Sequence, residues 1–294
     1  MNSFKEKLIK RLFCITAYAS LLFLAGIMFV LFKESLKALE EVSLPAFLLG
    51  REWYPTDTPP EFGALSLFAG SLSVSFIAVL VCVPLGLGSA LYLHEIASER
   101  QRKILKPVVE ILSGVPSIIF GFFGLVVFAP LLQEMFDLPV GQCLLTAAII
   151  LGVMTIPTIT SLSEDALGFV PRSFKEASYA LGADRWQTLR RVTIPAAASG
   201  IITSIIMGIG RLMGETMIVL MVAGGAAVIP DSLFSPVRPM TSTIAAEMGE
   251  AAQGTLHFSV LFEIGLLLFI ITFILNVISE LISRRYRLKL GQGR

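Results

Sequence analysis

The sequence predicts an all-α, polytopic membrane protein built on six transmembrane helices, and three observations carry that expectation. The 294 residues are 55% hydrophobic and only 15% charged, too apolar for a soluble domain of this length. Six stretches reach the roughly 20 apolar residues needed to cross a hydrocarbon core of about 30 Å: Leu12–Phe32, Leu65–Leu93, Val108–Leu132, Gln142–Ser163, Ala196–Val222 and Ser259–Ile282. Finally, the basic residues alternate in density from loop to loop. Eighteen of the 23 lysines and arginines fall on one side of the six spans, four fall on the other, and Arg211 lies within the fifth. Lipid excludes irregular backbone, so the spans are helices, and the positive-inside rule places both termini in the cytoplasm.

The resulting organisation is a cytoplasmic tail over residues 1–11, a six-helix membrane domain over 12–282 and a basic cytoplasmic tail over 283–294. The first span follows basic residues, and Ala17-Tyr18-Ala19 mimics a signal-peptide cleavage site. The apolar run continues to Phe32, which favours an uncleaved helix. An outward loop over 33–64 carries six acidic and three basic residues with Pro55, Pro59 and Pro60. A short amphipathic helix fits residues 33–42, and Trp53-Tyr54 suit a membrane interface. The loop reads as solvated, or as a docking surface for an external partner.

The second span holds Pro84, Gly86 and Gly88, the third Gly114, Pro116, Gly121 and Gly124, and the fourth Pro157. Prolines interrupt the helical hydrogen-bond ladder and glycines let helices approach closely. Glu110 and Glu263 lie near span ends, within snorkelling reach, and read as structural. Cys14, Cys82 and Cys143 all sit in apolar runs without paired spacing, so they read as small hydrophobes and not as a disulfide or a metal set. His94 and His257, the two histidines, look isolated.

Between the fourth and fifth spans, the loop over 164–195 contains a polar, basic handle at 171–195. Ser173 and Glu176 have capping-box spacing, Gly182 offers a left-handed stop, and Asp184 with Gln187 can cap a second short helix before Pro195. Phe174, Tyr179 and Trp186 stand among the charges, a composition suited to a helix seated in a partner's groove or lying on the inner leaflet. Glu176-Ala177-Ser178, three residues, Gly182, nine residues, then Val192-Thr193-Ile194-Pro195 resembles the EAA loop of ABC importer permeases. Ser178, Val192 and Ile194 depart conservatively from that pattern. The resemblance implies a type I importer architecture of the MetI-like kind, with the first handle helix docking on an ATPase subunit and Glu176, Ala177, Ser178, Gly182 and Pro195 shaping the contact. The chain has no phosphate-binding G-x-x-x-x-G-K-[ST] loop, so it is expected to be a non-catalytic transport subunit that needs no cofactor and relies on a separate ATPase.

The fifth span carries Arg211 and Glu215, four apart and hence on one face of a continuous helix. A charge near the bilayer centre costs about 2.5–3.5 kcal/mol, and such residues commonly mark a solute path; the competing reading is a self-neutralising ion pair. Gly210 and Gly214 form a G-x-x-x-G face beside them. A guanidinium suits tetrahedral oxyanions, and a neighbouring carboxylate accepts a hydrogen bond from an anion that keeps a proton. That combination ranks phosphate above sulfate or molybdate, with Thr216 as a further donor. A proton-coupled secondary transporter using Glu215 is the rival from another class.

The segment Gly210-Arg211-Leu212-Met213-Gly214-Glu215-Thr216-Met217 looks like the R-x-x-G-E-T segment of phosphate-specific ABC permeases. The agreement takes in residues 113–125, 155–171 and 240–245 with Glu247 and Glu250, and the methionine after Gly-Glu-Thr is closer to the PstC type than the PstA type. This second resemblance implies an inner-membrane subunit paired with a PstA-type permease, two ATP-binding subunits and a periplasmic or extracellular phosphate-binding protein, importing inorganic phosphate and contacting membrane lipid but no nucleic acid. Arg211, Glu215 and Thr216 would line the path. The loop over 223–258, with an apolar segment at 241–252, suggests a re-entrant or interfacial helix near the outer mouth, where Arg238, Glu247 and Glu250 are candidates for a gate or remain solvated charges.

Overall fold

A computed structural model describes residues 3–289 and arranges them almost entirely as helices. Residues 290–294, the end of the expected basic tail with Arg294, lie outside the described residues. Six helical segments are long and apolar enough to cross a membrane: Lys7–Glu41, Leu65–Ile96, Ser117–Phe136, Leu144–Gly168, Arg185–Met213 and Leu256–Ile282.

Helix α1 (Ser3–Glu41) joins the first span to the expected amphipathic segment without a break, because residues 33–41 contain no glycine or proline. A short α2 (Leu44–Leu49) and a small hairpin, β1 (Trp53–Tyr54) and β2 (Glu61–Phe62), come next. Trp53 pairs with Phe62 across the hairpin and is 2% exposed. It is therefore a core residue, not an interface anchor.

Helix α3 (Leu65–Leu91) runs through a π turn (Tyr92–Ile96), and α4 (Glu99–Ser113) opens with a complete Ser98–Gln101 capping box. The third span therefore begins later than the expected Val108. Gly114-Val115-Pro116 separates α4 from α5 (Ser117–Phe123), which continues through a π turn (Gly124–Phe128) into α6 (Ala129–Phe136). Pro116 has no amide to donate and sets an extended approach to α5. Residues before the break form an amphipathic helix, leaving Glu110 exposed.

Helix α7 (Leu144–Gly168) is the central post, packed against α3, α4 and α10 (Ile194–Met213). Small residues bring α3 and α7 together: a methyl group on Gly86 would meet Ile159 at 2.9 Å, and one on Gly152 would meet Val81 at 3.1 Å. Around this seam Val74, Ala78, Cys82, Leu151, Met154 and Leu212 form the main core. A second cluster lies beside the hairpin, where Trp53, Phe62 and Leu67 meet Met240, Leu261 and Ile264. The last two helices are α12 (Met240–Glu247) and α13 (Leu256–Lys289), so the described part of the basic tail continues the sixth helix. Glu263 on α13 is 4% exposed with both carboxylate oxygens unpartnered, so it is enclosed rather than snorkelling.

Charges fasten α4 to α7. Glu164, 1% exposed, is paired with Arg102 and with Lys106 Nζ at 2.6 Å. Lys106 also reaches Asp165 at 2.9 Å. The hydrogen bond that Lys106 donates to Glu164 is the main reason its ammonium is held above its ordinary pKa, with the one to Asp165 adding to it. Removing the cations from a buried carboxylate costs more than removing the carboxylate from cations that reach water. The variant carrying Arg102→Met and Lys106→Met should thus lose about 3 kcal/mol near neutral pH, whereas Glu164→Gln should lose about 1 kcal/mol. Thermal unfolding of the purified protein in detergent checks this order, and equal losses would contradict it.

Candidate functional site

The expected continuous fifth span is broken where its charges lie. Helix α10 ends at Met213, and α11 (Met217–Val222) begins after Gly214-Glu215-Thr216. Glu215 Oε1 accepts hydrogen bonds from the backbone amides of Met217 at 3.1 Å and Ile218 at 3.4 Å. A carboxylate at a helix N-terminus satisfies donors that the helix leaves free. This local bond competes with continuation of α10, and Gly214 offers little resistance to the turn. Arg211 and Glu215 therefore do not share a helical face and form no ion pair.

Arg211 lies in the last turn of α10, half-buried. Its Nη1 donates to Thr158 Oγ1 on α7 at 2.8 Å, next to the helix-interior Pro157. Its bonding partner is thus a neutral hydroxyl. Thr216 donates to the Gly214 carbonyl at 3.4 Å, so its hydroxyl has a local acceptor. Among the described residues the Gly210–Gly214 face meets no other helix: a methyl group on Gly210 would enter open space. Between α7 and α10, a cavity of about 450 Å³ is lined by Phe169, Pro171, Gly200, Thr203, Ser204 and Met207 among others. Met207 precedes Arg211 by about one helical turn, and Arg211 itself is not among the lining residues. The Ser163–Ser204 hydroxyl contact, 2.6 Å, ties the two helices beside it.

The handle folds as two short helices, α8 (Arg172–Ala180) and α9 (Arg185–Thr188), around Gly182 at φ +80°. The Asp184–Gln187 capping box forms, with Gln187 N donating to Asp184 Oδ1 at 2.7 Å. The Ser173–Glu176 box does not form. Pro171 is the N-cap of α8, without a side-chain cap, because its fixed φ starts the helix earlier than Ser173 would. Glu176 and Ala177 are exposed, whereas Ser178 is buried and bonds Thr188 through their hydroxyls at 2.8 Å. Ser178 is an internal strut between α8 and α9. Pro195 does not end the segment: a π turn (Leu189–Thr193) carries the helix onward, with the Ile194 amide donating to the Leu189 carbonyl and Pro195 in the first turn of α10. Leu181 and Trp186 are 89% and 66% exposed, leaving an apolar edge on the handle. Lys175 pairs with Glu95 and lies 3.2 Å from His94 Nε2, so the handle is joined to the end of α3 and His94 is not isolated.

Beside the hairpin, the structure joins two of the three gate candidates. Arg238 Nη2 lies 2.9 Å from Glu247 Oε1, and Glu247 is buried. Glu250 is exposed and outside this pair. Trp53 Nε1 donates to Glu247 Oε1 at 3.0 Å, and His257 Nε2 lies 2.7 Å from Glu247 Oε2. Thr158, Trp53 and His257 were absent from the sequence-based candidates. Thr158 had a signal, a hydroxyl beside proline in an apolar run. Trp53 had none that pointed to Glu247, 194 positions away.

Residues 82–288 match the family model described as the binding-protein-dependent transport system inner membrane component. The phosphate transport system permease protein PstC of Mesorhizobium japonicum is 38% identical over 290 residues, covering 92% of this chain and 88% of its own. The Bacillus subtilis protein named "Probable ABC transporter permease protein YqgH" is 39% identical over 244 residues, covering 83% of this chain and 79% of its own. Among solved structures, a chain of a bacterial ABC transporter involved in import of the acidic polysaccharide alginate superposes with a TM-score of 0.67 at 16% identity, covering 96% of each chain; that likeness concerns the fold alone. The chain is a multi-pass, all-α membrane protein and belongs to the family of binding-protein-dependent transport system inner membrane components.

Proposed function

We propose that this chain is the PstC-type permease subunit of an ATP-driven phosphate importer, forming half of the translocation path. The observation that carries the reading is Arg211: a cation in a membrane helix, bonded to the Thr158 hydroxyl and to no carboxylate. Relatives named as phosphate permeases support the same solute. A guanidinium presents five donors, so one bond to Thr158 leaves several for an oxyanion. The open Gly210–Gly214 face is suited to a second, PstA-type permease, which would close the path around Arg211. Glu215 would accept a hydrogen bond from the hydroxyl that hydrogen phosphate retains, and Thr216 would add a donor.

The basic side of the molecule faces the cytoplasm of an inner-membrane protein in this reading, by the positive-inside rule. Two ATP-binding subunits engage the handle, Glu176 and Ala177 facing them from α8 while Gly182 sets the angle between α8 and α9. A phosphate-binding protein delivers the anion to the outer side, where Arg238 and Glu247 stand at the entrance and Glu250 remains available for docking. Handle movement reaches the path directly, since Arg185–Met213 is one helical span. Alternating access then moves the path around a weak site near the membrane middle.

Arg211→Ala should lower phosphate uptake by reconstituted complexes at least about tenfold, the loss expected from one charge-assisted bond. Glu215→Gln retains an oxygen that can cap α11, so a comparable loss there would separate anion handling from capping. Normal uptake in both variants would refute the assignment.

Gly182→Pro cannot adopt φ +80° and removes the amide that donates to the Tyr179 carbonyl at 2.9 Å. ATP hydrolysis should persist in the assembled complex while uptake falls at least about tenfold. Parallel retention of both activities would contradict the coupling role.

A further inference from the structure

Three donors from separate parts of the chain converge on Glu247. Trp53 Nε1 lies 3.0 and 3.2 Å from its two oxygens, Arg238 Nη2 lies 2.9 Å from Oε1, and His257 Nε2 lies 2.7 Å from Oε2. Trp53 belongs to the outer hairpin, Arg238 to the chain entering α12, and His257 to the first turn of α13. Glu247 is the last residue of α12, where the helix macrodipole disfavours an anion. The converging donors offset that penalty. Edge-on contacts of Trp53 with Phe62, centroids 5.9 Å apart, and with His257, 6.5 Å apart, hold the indole in place.

The other end of α12 touches the helix break. Thr241 Oγ1 donates to the Glu215 carbonyl at 2.8 Å, and the Met240 amide donates to Ser71 Oγ at 2.8 Å. Thr241 and Glu247 are six residues apart, about 9 Å along a helix. A rigid element of two turns therefore joins the outer hairpin to the backbone that presents Glu215.

We propose that Glu247 is a positioning residue, and that Trp53, Glu247 and Thr241 form a relay by which the position of the Trp53–Phe62 hairpin sets the backbone at Glu215. This rests on the reading of Arg211 and Glu215 as the solute-facing residues. The relay acts by holding α12: with the Trp53 bond made, α12 stays against the hairpin and Thr241 stays on the Glu215 carbonyl. Arg238, His257 and the Met240–Ser71 bond still hold α12 when either terminal bond is lost, so the helix shifts without detaching; both losses break the same link between the hairpin and Glu215, and the second adds little.

A double-mutant cycle tests this. Trp53→Phe removes the indole N–H and keeps an aromatic ring on Phe62 and His257, while Thr241→Val removes only the hydroxyl. Phosphate uptake and ATP hydrolysis stimulated by the binding protein are measured on the complete importer in vesicles, per assembled complex. Each single variant should slow both rates by about tenfold, and the double variant should also be slowed by about tenfold. A hundredfold loss in the double variant shows independent sites and overturns the relay, as do wild-type rates in either single variant. If the unmodified complex moves no phosphate, the substrate reading fails, yet the cycle on stimulated hydrolysis still decides the relay.

Discussion

The structure depends on a guanidinium in a membrane span without a matching negative charge. Keeping an arginine within a membrane span is costly, up to about 2.5–3.5 kcal/mol at a helix centre, and an ion pair with Glu215 would have been the direct compensation. The helix instead stops after Met213, and Glu215 turns to cap α11. Arg211 is left with the Thr158 hydroxyl, an interaction that orients the side chain without neutralising it. Orientation without neutralisation suits a group that must receive an anion and then release it.

The remaining architecture keeps that arrangement in place. Helix α7 supplies Thr158 and packs tightly on α3 through Gly86 and Gly152, so the acceptor sits on a firmly held element. On the basic side, Glu164 fixes α4 to α7 and Lys175 joins the handle to the end of α3. On the other side, Glu247 gathers the hairpin, α12 and α13. The break is thus reached from two directions: the handle leads into the 20-residue α10, and α12 meets the Glu215 carbonyl.

Much of this was legible in the sequence, for physical reasons. Hydropathy gives the six spans because the cost of polar groups in lipid is large at every position of a window. Gly182 and the Asp184–Gln187 box are local chemistry, readable from neighbouring residues. Gly114 and Pro116 were read as an interruption within the third span and not as its start, and the break at 214–216 was not read, because three residues barely alter the average of a long apolar run. The Ser173 cap was misplaced because Pro171 begins the helix earlier. Trp53, Glu247 and His257 meet only through the tertiary fold, and no periodicity connects positions 53 and 247. Arg211 itself was legible as a costly charge; its freedom from Glu215 was not.

The most direct measurement is the structure of the assembled importer with its transported anion, resolved well enough to place the Arg211 side chain. The account predicts an oxyanion within about 2.7–3.0 Å of the guanidinium, at the boundary with the second permease and near the Gly210–Gly214 face. Arg211 enclosed by its own subunit in every state, with no anion and no subunit boundary beside it, would contradict the account.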